Sequence, residues 1–231
     1  NVAIRTIQLH KEKAIYGVGG GITWDSTWES EYREVHQKAA VLYRKQARFQ
    51  LITTGKISQK NLLFEEQHLE RLRKASRYFA FPFDAEDLKQ KIEEECQACD
   101  ANQDYRLRIS LSKSGEIKLS RQALIPLSPS FCQSKLCLQE VNLQQAFTYF
   151  KTSHRPHLSL GKQEIIYHNA AGELLETSIG NLVLKIAGKL YTPPVRLGIL
   201  PGIYRQHLLE RGQVEEKVLT LADLAQAEAI Y

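Results

Sequence analysis

Phe150-Lys151-Thr152 opens the most informative part of this chain, which continues with Gly172-Glu173-Leu174-Leu175-Glu176-Thr177-Ser178-Ile179-Gly180-Asn181-Leu182, Tyr191-Thr192-Pro193-Pro194 and Gly198-Ile199-Leu200-Pro201-Gly202-Ile203-Tyr204-Arg205. The lysine follows the apolar run 146–150, which predicts a buried strand that enters a site. The second segment ends one predicted strand with an acid, and a further strand is predicted over 181–184. The last segment is a Pro-Gly turn that leads into a helical pattern. An amine, an acid and a helix start therefore follow one another along the chain.

Each of these segments also has an ordinary structural explanation. A single lysine is usually a solvated surface residue, and an acid at a strand end is usually exposed. A Pro-Gly turn often does no more than precede a helix. A glycine, however, lets a backbone approach closely, and the free amides at a helix start can hold an anion. Only the combination of these segments indicates a functional site.

In this order and at this spacing the segments resemble the fold-type IV pyridoxal phosphate (PLP) enzymes. This group comprises the branched-chain aminotransferases, the D-amino-acid aminotransferases and the 4-amino-4-deoxychorismate lyases. The earlier segment His68-Leu69-Glu70-Arg71-Leu72 matches the same group. The resemblance covers roughly residues 46–231. It implies an α+β fold of two unequal domains, with PLP bound between them.

The resemblance also implies which residues bind the cofactor. Lys151 would be the catalytic amine, which joins the cofactor aldehyde and moves protons. Glu176 would keep the pyridine nitrogen protonated, so that the ring can accept electrons. The backbone amides of Ile203 and Tyr204 would bind the phosphate, together with Arg71, since a guanidinium suits bidentate contacts with a phosphate.

Three further arginines are candidate ligands for substrate carboxylates. Arg106 and Arg108 alternate with apolar residues on a predicted strand, so both project from one face. Family members use an arginine near this point for a substrate carboxylate, although exposed strand arginines are the default interpretation. Lys151-Thr152-x-x-Arg155 resembles the pattern of the lyases more than that of the branched-chain aminotransferases. The resemblance therefore implies a lyase that uses these arginines to hold its substrate.

Residues 1–45 carry a separate resemblance, to the chorismate-binding enzymes. The matching residues are Ile4-Arg5-Thr6, Gly19-Gly20-Gly21-Ile22, Asp25-Ser26 and Glu31-Tyr32-x-Glu34-x-x-x-Lys38-Ala39. In an intact domain of that family, the positions of Glu31 and Glu34 would serve Mg²⁺, a hard cation that prefers oxygen ligands. Such a pair on a helix is more often a solvated face. Because only about 45 residues of a much larger domain are present, we interpret them as the tail of an upstream domain in a fusion protein, inactive alone.

Composition excludes several classes of protein. The chain has 231 residues, of which 43% are hydrophobic and 25% charged, as is usual for a soluble globular protein. No apolar run approaches the roughly 20 residues of a membrane span, and the first residues do not resemble a signal peptide. The net charge of +5 is interspersed along the chain, which argues against a nucleic-acid interface and suits anionic ligands. We therefore expect a cytoplasmic enzyme with a small-molecule substrate.

The spacing Cys96-x-x-Cys99 allows a metal or redox site. The same residues also belong to an apolar pattern at helical spacing, which consists of Leu88, Ile92, Cys96 and Cys99. We favour a buried helix face. A zinc site completed by Cys132 and Cys137 is the weaker alternative, because no second Cys-x-x-Cys or histidine pair accompanies them.

Periodicity and turn residues predict the following elements: a hairpin over 2–18, a helix over 28–45, a strand over 49–54, a turn at Gly55-Lys56, a second strand or connection over 57–64, a helix over 65–79, a helix capped by Asp84 that ends near residue 99, a strand over 104–112, a linker over 126–130 and a last helix over 221–230. The predicted domains are residues 1–45, 46–127 and 128–231. The chain stops at Tyr231, before the final cofactor loop of the family.

The function that the resemblance implies is conversion of 4-amino-4-deoxychorismate to 4-aminobenzoate and pyruvate in folate biosynthesis. A fusion with component I of aminodeoxychorismate synthase would join the enzymes that make and consume this substrate. An aminotransferase for branched-chain or D-amino acids and a non-catalytic fragment are the alternatives. The expected partners are a second copy of the chain in a homodimer and, for the upstream domain, a glutamine amidotransferase subunit. We expect neither a nucleic acid nor a membrane as partner.

Overall fold

The structure is a computed structural model that describes residues 6–43, 47–125, 134–141, 143, 145–155, 157–158 and 164–231. Its contacts divide the chain into two units, residues 1–47 and 48–231. No helix within the described ranges is long and apolar enough to cross a membrane. The predicted linker over 126–130 lies outside the described residues, as do Arg5 and Cys132. The predicted boundary between residues 127 and 128 therefore stays a prediction.

The first unit consists of a hairpin and one helix: β1 (Ile7–His10), β2 (Lys13–Tyr16) and α1 (Trp28–Tyr43). The two strands pair antiparallel, as predicted. No residue of α1 is buried, and Tyr32 on this helix is 58% exposed. This unit has the secondary structure that the sequence predicts, but none of the apolar side chains described for it is buried.

The two acids predicted to serve Mg²⁺ lie on this helix. Glu31 accepts a hydrogen bond from the Ser26 hydroxyl at 2.7 Å, and Glu34 forms an ion pair with Lys38. The described residues contain no cluster of three or more metal-ligating side chains. The magnesium role of Glu31 and Glu34 stays a prediction about a larger domain.

The second unit begins with an antiparallel sheet built from β3 (Leu51–Ser58), β4 (Asn61–Leu62), β5 (Tyr105–Leu111) and β6 (Ile117–Ala123), in the order β4-β3-β5-β6. One face of this sheet packs against α2 (Glu65–Phe79) and α3 (Ala85–Gln97). The alternation predicted for β5 is confirmed, since Leu107, Ile109 and Leu111 are buried while Arg106 and Arg108 are exposed on the other face. The arginines are therefore free to face a ligand.

The helices of this sheet follow the predicted pattern. The buried residues of α2 include Leu69, Leu72, Ala75 and Ser76, which lie at helical spacing within the predicted range 65–79. The Asp84 carboxylate caps α3 by accepting from the amides of Glu86 and Asp87. Cys96 and Cys99 are both buried free thiols in the same core, which confirms the apolar interpretation of their spacing.

The remainder of the second unit is built from β7 (Ser134–Leu138), α4 (Ala146–Tyr149), β8 (Glu164–His168), β9 (Leu174–Thr177), β10 (Leu184–Ile186), β11 (Lys189–Thr192), α5 (Ile203–Glu210), β12 (Glu215–Glu216), α6 (Leu221–Gln226) and β13 (Ala229–Ile230). Among the described residues these strands form two sheets, in the orders β7-β8-β9 and β12-β11-β10-β13. Helices and mixed, mostly antiparallel sheets thus occupy the same unit, so the predicted α+β fold is confirmed.

The predicted turn at Gly55-Lys56 is wrong, because both residues lie inside β3. The chain turns later, at Gln59 and Lys60, whose φ angles of 48° and 61° are left-handed. The absence of a side chain at Gly55 instead leaves room for the side chains of His68 and Leu62. A Cβ at Gly55 would lie 2.6 Å from His68 Nε2 and 2.7 Å from Leu62 Cδ1. Close packing of α2 on the strand explains why a glycine occurs there.

The predicted buried strand before Lys151 is also wrong. Residues Ala146–Tyr149 form the short helix α4, and Phe147 and the C-cap residue Phe150, three residues apart, contact the same ring. The rings of Phe147 and Phe150 lie 5.7 and 5.3 Å from the ring of Phe79 on α2. The aromatic cluster thereby ties the approach to Lys151 to α2 of the same unit.

Two smaller predictions need correction. The strand predicted over 181–184 begins at Leu184 as β10, and Asn181 makes an isolated bridge with Glu176 instead. The last helix ends at Gln226, and Ala229–Ile230 form β13 because they pair antiparallel with β10. The second difference arises from pairing of β13 with the distant strand β10, which a short sequence window does not contain.

The contact of Gly55 with His68 gives a test of the fold. We expect Gly55→Ala to lower the free energy of unfolding by about 1–3 kcal/mol, because the new methyl group overpacks the interface of β3 and α2. Gly180→Ala is the matched control, since its Cβ meets nothing nearer than Thr177 Oγ1 at 3.8 Å. Urea unfolding measures both variants. Equal stability of the two would contradict the packing described here.

Candidate active site

A cavity of about 550 Å³ opens between the β3–β6 sheet with α2 and the residues around β9 and the start of α5. It brings together seven of the residues predicted for the cofactor and substrate: Arg71, Arg106, Lys151, Arg155, Glu176, Ile203 and Tyr204. Arg108 lies two residues beyond Arg106 on the same face of β5 and is not among the described residues that line the cavity. Most of the predicted site therefore converges, although its residues are far apart in sequence.

The backbone of Lys151 is fixed by the edge of β3. Its carbonyl accepts a hydrogen bond from the Ile52 amide at 2.9 Å, and the next residue, Thr152, forms a bridge with Leu51. Burial lowers the pKa of the Lys151 amine from 10.5 to about 8, and the charges of Arg71 and Arg155 add to this effect. A usable fraction of the amine is therefore neutral, and hence nucleophilic, near physiological pH.

Glu176 is a buried carboxylate, with only 3% of its side chain exposed. Oε1 accepts from Arg155 Nη2 at 2.7 Å, and Oε2 accepts from the Leu200 amide at 3.3 Å. Burial raises the pKa of Glu176, while Arg155 and the Leu200 amide act in the opposite direction. Burial outweighs the other two effects, so the pKa of this carboxyl lies above its ordinary value and its affinity for a proton is increased.

The start of α5 forms one wall of the cavity. Gly202 is its N-cap, and the chain direction leaves the first amides of the helix, which include those of Ile203 and Tyr204, without partners inside the helix. Arg71 reaches the same point from α2 and donates from Nη2 to the Pro201 carbonyl at 2.6 Å. Burial lowers the pKa of Arg71 to about 10, with Arg155 as the second cause, so it stays charged at neutral pH. A guanidinium and a helix start therefore meet, which is an arrangement that favours anions.

His68 also lines the cavity, on the turn of α2 that precedes Arg71. Its Nδ1 lies 2.6 Å from the buried Thr53 hydroxyl. Burial lowers the pKa of His68 to about 4, and Arg71 and Lys151 contribute further. The ring is therefore neutral, and the structure supports a packing role because the Thr53 contact fixes its orientation.

The residues present fit PLP. The cavity offers an amine for an aldehyde, a carboxylate for a pyridine nitrogen, and a helix start with an arginine for a phosphate. The described lining carries the cations Lys56, Arg71, Arg106, Lys151, Arg155 and Arg205, against the single acid Glu176. Lys56 and Arg205 form ion pairs with Asp104 and Glu216 outside the lining, so the excess of positive charge comes from the other four cations. Arg155 Nε is moreover buried without a hydrogen-bond partner among the described residues. This excess of positive charge favours an anionic occupant.

Sequence reasoning missed two contributors to this site. Asn181, five residues after Glu176, lines the cavity and donates from Nδ2 to the Leu200 carbonyl at 2.8 Å. Phe64 precedes α2 with a left-handed φ of 59°, and its ring lies 4.7 Å from that of His207 on α5. A short amide side chain close to a predicted acid was the available signal for Asn181. Phe64 had no comparable signal, because its role depends on a contact between distant segments.

The environment of Lys151 predicts its reactivity in the protein without added cofactor. Acetylation with acetic anhydride, read by peptide mass spectrometry over a pH series, should give a midpoint near pH 8 at Lys151. The variant Arg71→Gln should move this midpoint upward, because loss of a neighbouring positive charge favours the protonated amine. Arg73→Gln, on the same helix, is the control and should leave it in place. A midpoint close to 10.5 in the parent protein would contradict the buried cationic environment.

Comparison with known proteins agrees with this site. The family model of class IV aminotransferases matches residues 50–231, and that of the chorismate binding enzymes matches residues 1–44. A Schizosaccharomyces pombe protein described as an aminodeoxychorismate lyase is 24% identical over 163 residues, which cover 64% of this chain and 68% of that protein. The two matched regions, residues 1–44 and 50–231, meet close to the boundary between the two units at residues 47 and 48.

Solved structures share the fold. An amino-acid aminotransferase, so described, from Mesorhizobium loti is 27% identical with a TM-score of 0.68, over 79% of this chain and 92% of that one. A protein from Haemophilus somnus described as a 4-amino-4-deoxychorismate lyase is 23% identical with a TM-score of 0.63, over 81% and 96% of the two chains. The family of these proteins uses PLP. From residue 50 onward, the chain belongs to the class IV aminotransferases, in the fold-type IV group of PLP enzymes.

Proposed function

We propose that this chain converts 4-amino-4-deoxychorismate to 4-aminobenzoate and pyruvate with the help of PLP. The observation that carries this proposal is the convergence of Lys151, Glu176 and Arg71 with the start of α5 on one cationic cavity. The lyase described for S. pombe supports the choice of reaction. The substrate carries two carboxylates, which suits the excess of positive charge.

The residues have separate tasks in holding the cofactor. Arg71 and the amides of Ile203 and Tyr204 would bind its phosphate, and Glu176 would hold a proton on its ring nitrogen. Bound PLP supplies an aldehyde that joins to an amine and a ring that accepts electrons from a carbon next to that amine. Tyr204 is 63% exposed, so we assign its backbone amide, rather than its side chain, to the phosphate.

Lys151 would hold the cofactor and then act as a base. Its amine, with a pKa near 8, would take the proton from the amine-bearing carbon of the substrate. The same amine would return a proton to the departing enolpyruvyl group. That group then leaves as pyruvate, and the carbon ring of the substrate becomes aromatic. A pKa near the working pH serves both directions of transfer.

The arginines Arg106, Arg155 and Arg108 are the candidates for binding the carboxylates of the substrate. Arg106 faces the cavity, where Nη2 donates to Gln122 Oε1 at 2.6 Å, and we propose it as a ligand for a substrate carboxylate. Arg155 already uses Nη2 for Glu176, so a contact with substrate would have to use its other terminal nitrogen. Arg108, two residues beyond Arg106 on the same face of β5, would add positive charge near the cavity.

An aminotransferase is the second candidate, and the 27% identity with the M. loti protein favours it. It would keep Lys151, Glu176 and Arg71 in the same roles. The two reactions differ in what becomes of the substrate nitrogen, which stays on the aromatic product in the lyase and passes to the cofactor in the aminotransferase. A non-catalytic fragment is the remaining alternative, and it would not retain PLP.

We also propose that residues 1–44 end a chorismate-binding domain fused to the lyase. The match to that family and the open apolar face of α1 support this proposal. In the fused protein, Glu31 and Glu34 would serve Mg²⁺ and a glutamine amidotransferase would supply ammonia. Homodimer formation and a cytoplasmic location complete the proposal.

Turnover tests the reaction. Purified protein with PLP should release 4-aminobenzoate, detected by its fluorescence, and pyruvate, detected with lactate dehydrogenase, in equal amounts. Lys151→Ala should lower the rate by at least ~10³-fold, because the general base is lost, and Glu176→Gln by a smaller factor. Lys74→Ala, whose side chain is 70% exposed, is the control and should keep the parent rate.

The outcome separates the candidates. Conversion of the cofactor to its amine form by amino acids, without release of 4-aminobenzoate, would replace the lyase by the aminotransferase. Full activity of Lys151→Ala would overturn both assignments. The cofactor absorbance of the same samples records the first of these outcomes directly.

A further inference from the structure

Gly202 is a glycine for a reason other than its backbone conformation. Its φ of −66° and ψ of 138° are open to any residue. A Cβ at this position, however, would lie 1.9 Å from Asn181 Oδ1 and 3.1 Å from Asn181 Cγ. The Asn181 side chain therefore occupies the space that any other residue at position 202 would need.

Asn181 also contacts the turn that precedes α5. Its Nδ2 donates to the Leu200 carbonyl at 2.8 Å, while the Leu200 amide donates to Glu176 Oε2 at 3.3 Å. The backbone of Asn181 pairs with that of Glu176 in a single antiparallel bridge. One residue thus joins the acid to the turn that carries Gly202, through backbone and side chain at once.

This connection matters because the cofactor proposed above has a rigid ring with its phosphate on a short arm. The distance between its ring nitrogen and its phosphate varies only within the reach of that arm, so Glu176 and the amides of Ile203 and Tyr204 must be held within a matching range. Asn181 lies between these two groups, and its contacts restrain both. Arg71 restrains the same turn from α2 through the Pro201 carbonyl.

We propose that Asn181 is a positioning residue, which sets the distance between Glu176 and the phosphate-binding start of α5 by its hydrogen bond to Leu200 and its contact with Gly202. The inference rests on the proposed function, since it concerns the phosphate of PLP. It assigns Asn181 no contact with reacting atoms. Its effect should therefore depend on whether the ligand has a phosphate.

The test compares PLP with pyridoxal, which has the same ring and aldehyde but no phosphate. We expect Asn181→Ala to raise the Kd of the protein for PLP about tenfold, the order expected for loss of one hydrogen bond at a partly buried site. The Kd for pyridoxal should change less than about twofold. Absorbance titration measures both ligands, and Asn102→Ala, an exposed turn residue, is the control.

A double-mutant cycle tests the contact itself. Gly202→Ala should raise the Kd for PLP at least about tenfold in the parent protein, because the new methyl group and Asn181 cannot occupy the same space. In the Asn181→Ala background the same change should cost less than about threefold, since the next atom is Arg205 Cβ at 3.5 Å. Gly17→Ala, whose Cβ meets no atom within 4 Å, is the glycine control.

The outcomes are distinguishable from failure of the proposed function. Absence of PLP binding by the parent protein would refute the proposed function. PLP binding that is equal in the parent and Asn181→Ala would refute the inference alone, as would equal losses for PLP and pyridoxal or an additive cycle. If thermal melting shows that Asn181→Ala does not fold, Asn181→Ser takes its place. This smaller, uncharged variant removes the same amide donor, and the same selective loss of PLP binding is expected.

Discussion

Buried positive charge is the constraint on which the site depends. Arg71, Lys151 and Arg155 surround the single described acid of the cavity lining, Glu176. Buried charges are costly unless they are paired, and each cation meets this cost differently. Arg155 bonds to the carboxylate, Arg71 bonds to a backbone carbonyl, and the lysine gives up part of its charge through a lowered pKa. The remaining positive charge favours an anionic ligand, which links the stability of the site to its occupancy.

The rest of the second unit holds these groups in place. The β3–β6 sheet with α2 forms a well-packed core, so that Arg71 and the backbone of Lys151 rest on a rigid support. Glu176 and the start of α5 belong to the other part of the unit, where Asn181 joins them. The hydrogen bond from Arg71 to Pro201 and the ring contact of Phe64 with His207 connect the two parts across the cavity.

Much of this arrangement could be predicted from the sequence, but by two different routes. The helices α2 and α3 and the strand β5 follow from periodicity, because one face of each is packed against a core. Lys151, Glu176 and Arg71 come from family spacing, since periodicity alone cannot separate them from surface residues. Gly55 was misinterpreted because a glycine can indicate either a turn or close packing. The contact of Asn181 with Gly202 joins segments about twenty residues apart, and such contacts cannot be found from local patterns.

The central claim is that Lys151 is the amine to which PLP attaches. The most direct measurement is an absorbance spectrum of the PLP-loaded protein before and after borohydride, followed by mass mapping of the modified peptide. We expect a visible band that disappears on reduction and a cofactor fixed on Lys151. No band after PLP is added, or attachment to another lysine, would contradict this expectation.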